Sequence, residues 1–92
     1  MEIKWTDSDD ETGLRRFIRA ERFAGFWRFH YRETRRGVWT RLHPATLDMW
    51  AEVLDALKRR YRRREGVTED DIKQVESIVA DLERKRQATQ EP

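Results

Sequence analysis

Side chains that could bind a ligand or take part in catalysis are concentrated between Leu14 and Gly37, and their types suit binding better than catalysis. This stretch holds six of the ten aromatic residues of the chain and eight of its arginines, opposed only by Glu21 and Glu33. Guanidinium groups bind phosphate and aromatic rings stack on bases, so the mixture is typical of surfaces for single-stranded nucleic acids. The stretch therefore predicts an interaction surface.

Charge is arranged in blocks, although the formal net charge is only +2. Residues 14–41 carry a local charge of +7, the run KRRYRRR at 58–64 adds +6, and residues 65–92 carry −4. On a helix, like charges four residues apart repel each other, as Arg28 and Arg32 would. Either the acidic C-terminal segment or an anionic partner must offset this repulsion, and the sequence leaves both explanations open.

No catalytic, metal or nucleotide motif stands out in the chain. There is no cysteine, and the only histidines are His30 and His43, so neither thiol chemistry nor a structural zinc site is expected. The paired acids Asp9–Asp10 and Asp70–Asp71 lie where the N-terminus of a helix favours negative charge, which explains them without a metal. We therefore expect a non-enzymatic protein with no cofactor and no bound metal.

Two functions fit this composition. The first is a binding module for a polyanion, either RNA or DNA. The second is an adaptor or assembly subunit whose aromatic and arginine residues contact an acidic protein surface or a second copy of the chain, since both residue types are also enriched in protein interfaces. Neither a membrane nor a small-molecule cofactor is expected as a partner. The predicted binding residues are Arg16, Arg19, Arg28, Arg32, Arg35, Arg36, Arg59, Arg60, Arg62 and Arg63.

The elements that position these residues are clearest in the second half of the chain. Apolar residues at helical spacing predict helices on both sides of a turn at Glu65–Thr68: Leu47, Trp50, Leu54 and Leu57 before it, and Ile72, Val75, Val79 and Leu82 after it. Gly66 suits the end of the first helix, and Thr68 can cap the second, with Asp71 three residues on. Residues 44–86 are therefore predicted to form an antiparallel helical hairpin.

Residues 14–36 allow two predictions. A stripe formed by Phe17, Ala20, Ala24, Trp27 and Tyr31 at alternating spacings of three and four predicts a helix that packs on the helical hairpin. Alternation of aromatic and basic residues from Trp27 to Arg32, with Gly25 before them, instead predicts a β-hairpin at about 26–42. The first prediction gives a mostly α fold and is preferred here, and the second gives an α+β fold.

The length of 92 residues indicates one small domain, expected over residues 1–86, with a disordered tail at 87–92. No apolar run approaches the length of about 20 residues that spans a membrane, and the first residues lack the apolar core of a signal peptide. We therefore expect a cytoplasmic protein.

Overall fold

A computed structural model describes residues 1–90 of the chain, with side chains described through residue 88. The chain forms two compact units, Met1–Ala45 and Thr46–Pro92. The first contains the strands β1 (Glu2–Ser8), β2 (Arg15–Phe23), β3 (Phe26–Arg32) and β4 (Thr40–Leu42). The second contains the helices α1 (Leu47–Arg62) and α2 (Glu69–Gln90).

The four strands form one antiparallel sheet in the order β1-β2-β3-β4, in which each strand pairs with its sequence neighbour. Successive side chains along a strand point to opposite faces, so the register divides the sheet residues into two sets. One face carries the buried side chains of Ile3, Ile18, Ala20 and Phe29. Trp5 packs edge to face against Phe29, with ring centroids 6.4 Å apart. This apolar face is the core of the first unit.

The preferred prediction of a mostly α fold is wrong, and the α+β alternative is the one that the structure confirms. The predicted N-terminal helix over residues 14–36 is replaced by β2 and β3, joined by a two-residue turn at Ala24 and Gly25. Both turn residues have positive φ, 52° and 81°, which a helix cannot contain. The residues whose spacing of three and four suggested a helix lie on both sides of this turn. The informative signal was the alternation of side chains, with a period of two residues, on either side of the turn.

The predicted helical hairpin is present, with adjusted ends. Helix α1 begins after Thr46, whose hydroxyl accepts the Met49 amide at 3.2 Å, and not at Pro44 as the sequence suggested. Helix α2 is capped as predicted: Thr68 Oγ1 accepts the Asp71 amide at 3.2 Å, and Asp71 Oδ2 accepts the Thr68 amide at 2.9 Å. This reciprocal arrangement satisfies two amides at the start of the helix.

The helices bury apolar side chains against each other. Val53, Leu57 and Val75 are fully buried, and Val67 in the connecting turn is nearly so.

Helix α2 continues to Gln90. The predicted disordered tail also includes residues 91 and 92, which lie outside the described residues. Within residues 1–90, no helix combines the length and apolar character needed to cross a membrane.

Candidate binding face of the sheet

The second face of the sheet, here called the basic face, is polar and rich in cations. The register places on its strands six lysines and arginines but only two glutamates, Glu2 and Glu21. The basic residues are Lys4, Arg15, Arg19, Arg28, Arg32 and Arg41. Strand alternation produces this segregation, because Ile18 and Ala20 of β2 and Phe29 of β3 are buried on the apolar face and the residues next to them must point the other way.

A row of four basic side chains crosses this face. Lys4 pairs with Arg19, Arg19 with His30, and His30 with Arg41, so that each strand contributes one member. With about 4.8 Å between neighbouring strands, the row of backbone positions is about 14 Å long. Like charges placed directly opposite on a sheet destabilise it. We call Lys4, Arg19, His30 and Arg41 the cross-strand row.

Aromatic rings hold two of the arginines in place. The guanidinium groups of Arg19 and Arg32 lie 4.6 and 4.3 Å from the ring centroid of Trp39, which precedes β4. Arg32 also lies 5.9 Å from the ring of Phe17, its cross-strand neighbour. A guanidinium stacked on a ring keeps its in-plane N–H groups directed outward, while its side chain loses freedom before any ligand binds.

Several nitrogen atoms of this face are buried without a hydrogen bond. Among the side chains that the structure describes, these include Nε of Arg19, Nε of Arg32 and Nδ1 of His30. The nearest anion to Arg19 Nε is Glu21 Oε2 at 4.0 Å, which is an ion pair but too long for a hydrogen bond. Burial makes the largest contribution to lowering the pKa of His30 below its usual value, and the charges of Arg19 and Arg41 make the next largest. Glu21 partly opposes this shift. Its neutral form is therefore favoured while its neighbours are cationic.

The basic face brings together only part of the predicted site. Arg19, Arg28 and Arg32 lie on it, whereas Arg35 and Arg36 are exposed in the connection between β3 and β4. Arg16 lies on the opposite face, where its Nε and Nη2 donate to the two carboxylate oxygens of Asp7 at 3.0 and 2.9 Å. Asp9 adds an ion pair at 3.6 Å. Arg16 is thus fully engaged within the chain.

The other predicted arginines belong to the helical unit. Arg59, Arg60 and Arg62 lie in the last turn of α1, and Arg63 is its C-cap residue. Arg59 forms an exposed ion pair with Asp55, one turn earlier, at 3.5 Å.

Sequence reasoning missed Lys4, His30, Trp39 and Arg41 as members of one surface. Alternation from Trp27 to Arg32 did indicate which residues of β3 share a face, and it would have grouped His30 with Arg28 and Arg32. No local pattern links Lys4 or Trp39 to them, because strand pairing brings Lys4 beside Arg19, and the ring of Trp39 meets Arg19 and Arg32 only in the folded sheet.

Comparisons with protein families, curated proteins and solved structures found no match to this chain. Within residues 1–90, no group of three or more histidine, aspartate or glutamate side chains is placed to hold a metal ion. The basic face, with its geometry and charge, is therefore the candidate site.

Proposed function

We propose that this protein is a non-enzymatic module that binds nucleic acid through the basic face of its sheet. The cross-strand row carries the proposal. Three permanent cations and one histidine stand side by side across four strands, each directly opposite the next. Lys4 and Arg19 are permanent cations on neighbouring strands, and two unit charges about 5 Å apart repel by roughly 1 kcal/mol even in water. Glu2, whose Oε1 lies 3.2 Å from Lys4 Nζ, offsets part of this repulsion within the chain. A phosphodiester backbone laid along the row would convert this repulsion into attraction.

The stacked arginines support the same ligand. The ring of Trp39 orients the guanidinium groups of Arg19 and Arg32. Arginine presents several donors in a fixed plane that matches the geometry of phosphate oxygens. Because these side chains are already ordered, they lose less conformational entropy when a ligand binds than freely rotating arginines would, and the net binding free energy is more favourable. The proposed contact residues are Lys4, Arg19, His30, Arg32 and Arg41.

An adaptor function is the second candidate, and one observation favours it. Phe23 and Phe26 are each 73% exposed at the end of the β2–β3 hairpin, and exposed aromatic rings are typical of protein interfaces. Salt separates the two functions, because phosphate binding weakens steeply with added salt whereas an apolar contact does not. A cytoplasmic location remains a prediction from the sequence.

The decisive experiment is titration of a fluorescent oligonucleotide at about 50 and about 200 mM salt, concentrations between which phosphate contacts differ strongly in strength. Arg19→Glu combined with Arg41→Glu should abolish most binding and flatten the salt dependence by roughly two units, one for each lost phosphate contact. The matched control is Arg59→Glu combined with Arg62→Glu, which changes the net charge of the protein by the same amount.

The comparison of the two double variants tests location as well as charge. We expect the control to retain binding within about threefold, since non-specific steering by net charge is a smaller effect than a lost phosphate contact. Equal losses in both variants would show that net charge, and not the basic face, governs binding. Absence of wild-type binding at the lower salt concentration would refute the nucleic-acid proposal.

A further inference from the structure

The hairpin tip, defined as residues 23–26, presents two large apolar side chains to solvent on the basic face. Phe23 and Phe26 are cross-strand partners, and each is 73% exposed. By alternation they share their face with Arg19 on β2 and with His30 on β3. Most aromatic residues of this sheet are at least half-buried, so these two rings are the most open aromatic surface in the first unit.

From this arrangement we infer that the ligand is single-stranded, and that its unpaired bases stack on Phe23 and Phe26 while its phosphates lie along the cross-strand row. The inference rests on the proposed function, because it assigns the ligand of the same face. In a duplex the faces of the bases are covered by their neighbours, so ring stacking requires unpaired bases. A face built for duplex DNA would need no exposed rings.

The row and the tip lie at two levels of the same face. Phe23 comes four positions after Arg19 along β2, which places the Cα atoms of the tip about 13 Å from the row. Between them lie Glu21 and its cross-strand partner Arg28. A carboxylate at this level repels phosphate but accepts hydrogen bonds from the amino groups of bases. The face thus offers cations for phosphates at the row and rings for bases at the tip, which a strand of more than one nucleotide can reach together.

The rigidity of the tip supports stacking over loose apolar contact. Ala24 and Gly25 close the hairpin in the minimum number of residues, with both at positive φ, as in a type I′ turn. The strands on either side therefore fix the Cα–Cβ direction of both residues, so that both rings project from the basic face. Two rings presented together on one face are a platform of the kind on which bases stack.

The test compares a labelled oligothymidylate of about 12 nucleotides, within the usual site size for such surfaces, with a duplex of the same length. Three double variants at Phe23 and Phe26 separate the chemistries: Ala removes the rings, Leu keeps apolar bulk without a π face, and Tyr keeps the π face. Leu14→Ala, at another exposed apolar residue of the sheet unit, is the control. Circular dichroism confirms that each variant is folded.

We expect the Ala and Leu pairs to weaken binding of the single strand by about tenfold to a hundredfold, as loss of base stacking does, and the Tyr pair to retain it. Duplex binding should change by less than about twofold in all variants. If wild type binds single strand and duplex equally and the Ala pair changes neither, the inference is wrong while the proposed function stands. If wild type binds neither, both are wrong.

Two other occupants of the tip would give different results. If the Leu pair behaves like wild type while the Ala pair fails, the tip makes apolar contacts and does not stack on bases. Binding of the wild-type protein to vesicles of mixed phosphatidylserine and phosphatidylcholine, retained in the Leu pair, would assign the tip to a lipid surface and overturn the inference.

Discussion

The two arginine-rich regions of this protein have similar compositions but different structures. On the sheet, Arg19 and Arg32 stack on Trp39 at 4.6 and 4.3 Å, and Arg19 stands in a row of cations. At the end of α1, Arg59 and Arg62 project from a helix, and the one ion pair described for them joins Arg59 to Asp55 with both side chains more than half exposed. The amino-acid composition does not distinguish the arginines of the sheet from those at the end of α1.

The difference separates local density of positive charge from the ordering of the charged side chains. An exposed arginine on a helix has many rotamers, and ordering it on a ligand costs up to about 2 kcal/mol. The stacked arginines have already lost part of that freedom on folding. The proposed function therefore assigns binding to the sheet, and the following variants act on one of the two regions at a time.

The largest effect is expected from removing the ring that orients the sheet arginines. Trp39→Ala should weaken nucleic-acid binding by about thirtyfold, roughly 2 kcal/mol, because Arg19 and Arg32 lose their cation–π contacts and become mobile. Tyr61→Ala, at the aromatic residue within the basic run of α1, should leave binding within about twofold. Equal affinities for the two variants would contradict a special role for the sheet arginines.

The turn after α1 should affect stability without affecting binding. Gly66 has φ of +83°, and a Cβ there would meet no atom within 4 Å, so the cost of a side chain is conformational and not steric. Gly66→Val should lower the free energy of unfolding by about 1–2 kcal/mol, since β-branched residues resist the left-handed region.

Thermal denaturation of Gly66→Val measures this loss, and Gly66→Asn is the reference because asparagine tolerates positive φ. An unchanged melting temperature for the valine variant would show that the backbone of this turn relaxes to another conformation. A loss of nucleic-acid affinity in the folded variant would show that the two regions are not independent.

At the hairpin tip we expect a substitution to change the free energy of unfolding by less than Gly66→Val does, and in the opposite direction. Ala24 has φ of 52°, a conformation that costs most L-residues free energy and that asparagine adopts more readily. Ala24→Asn should therefore stabilise the protein by roughly 0.5–1 kcal/mol, with Ala24→Val destabilising it at the same position. Chemical denaturation measures both. Stabilisation by valine would mean that the turn does not have the positive φ values described here.

The smallest expected effect is a dependence of binding on pH through His30. Burial, then Arg19 and Arg41, with a smaller contribution from Arg28, lower the pKa of His30, and Glu21 raises it. As the pH falls below the usual histidine value of about 6.5, the unfolded chain takes up a proton that the folded chain resists, so stability declines until the pH passes below the folded pKa.

A bound polyanion reverses this preference, because its phosphates stabilise the imidazolium. Affinity for the oligonucleotide should therefore rise by about threefold between pH 7 and pH 5.5, and His30→Gln should remove this rise. The control is His43→Gln, which should leave the pH dependence as in wild type. A flat wild-type profile would place His30 outside the contact with phosphate.

The helical half of the fold was predictable because its signals are local. The apolar period of α1, the Thr68–Asp71 capping pair and the glycine between the helices all lie within a few residues of the elements they define. Propensity and capping act over one or two turns, so the sequence around each position was sufficient. The ends of the helices were predicted less well, because α1 begins after its N-cap Thr46 and not at Pro44, and α2 runs to Gln90 and not to residue 86.

The sheet was harder to predict because the sequence of β2 fits both the apolar period of a helix and that of a strand. Phe17, Ala20 and Ala24 fit a helical stripe, whereas Ile18 and Ala20 fit the buried face of a strand. Pairing with β1 and β3 buries Ile18 and Ala20 completely and leaves Phe17 on the basic face. A strand gains this stabilisation only from its partners, which single-sequence patterns do not contain.

By itself, then, the amino-acid sequence determined the blocks of charge, the arginine and aromatic content of residues 14–37, and the helical hairpin with its capped turn. Tertiary structure alone decided which arginines share a surface. Lys4 and Arg41 become members of one row, and Arg16 is removed from it to pair with Asp7, through strand register. Register is set by burial of Ile3, Ile18 and Phe29 on the opposite face, because a slip of one residue would expose all of them to water.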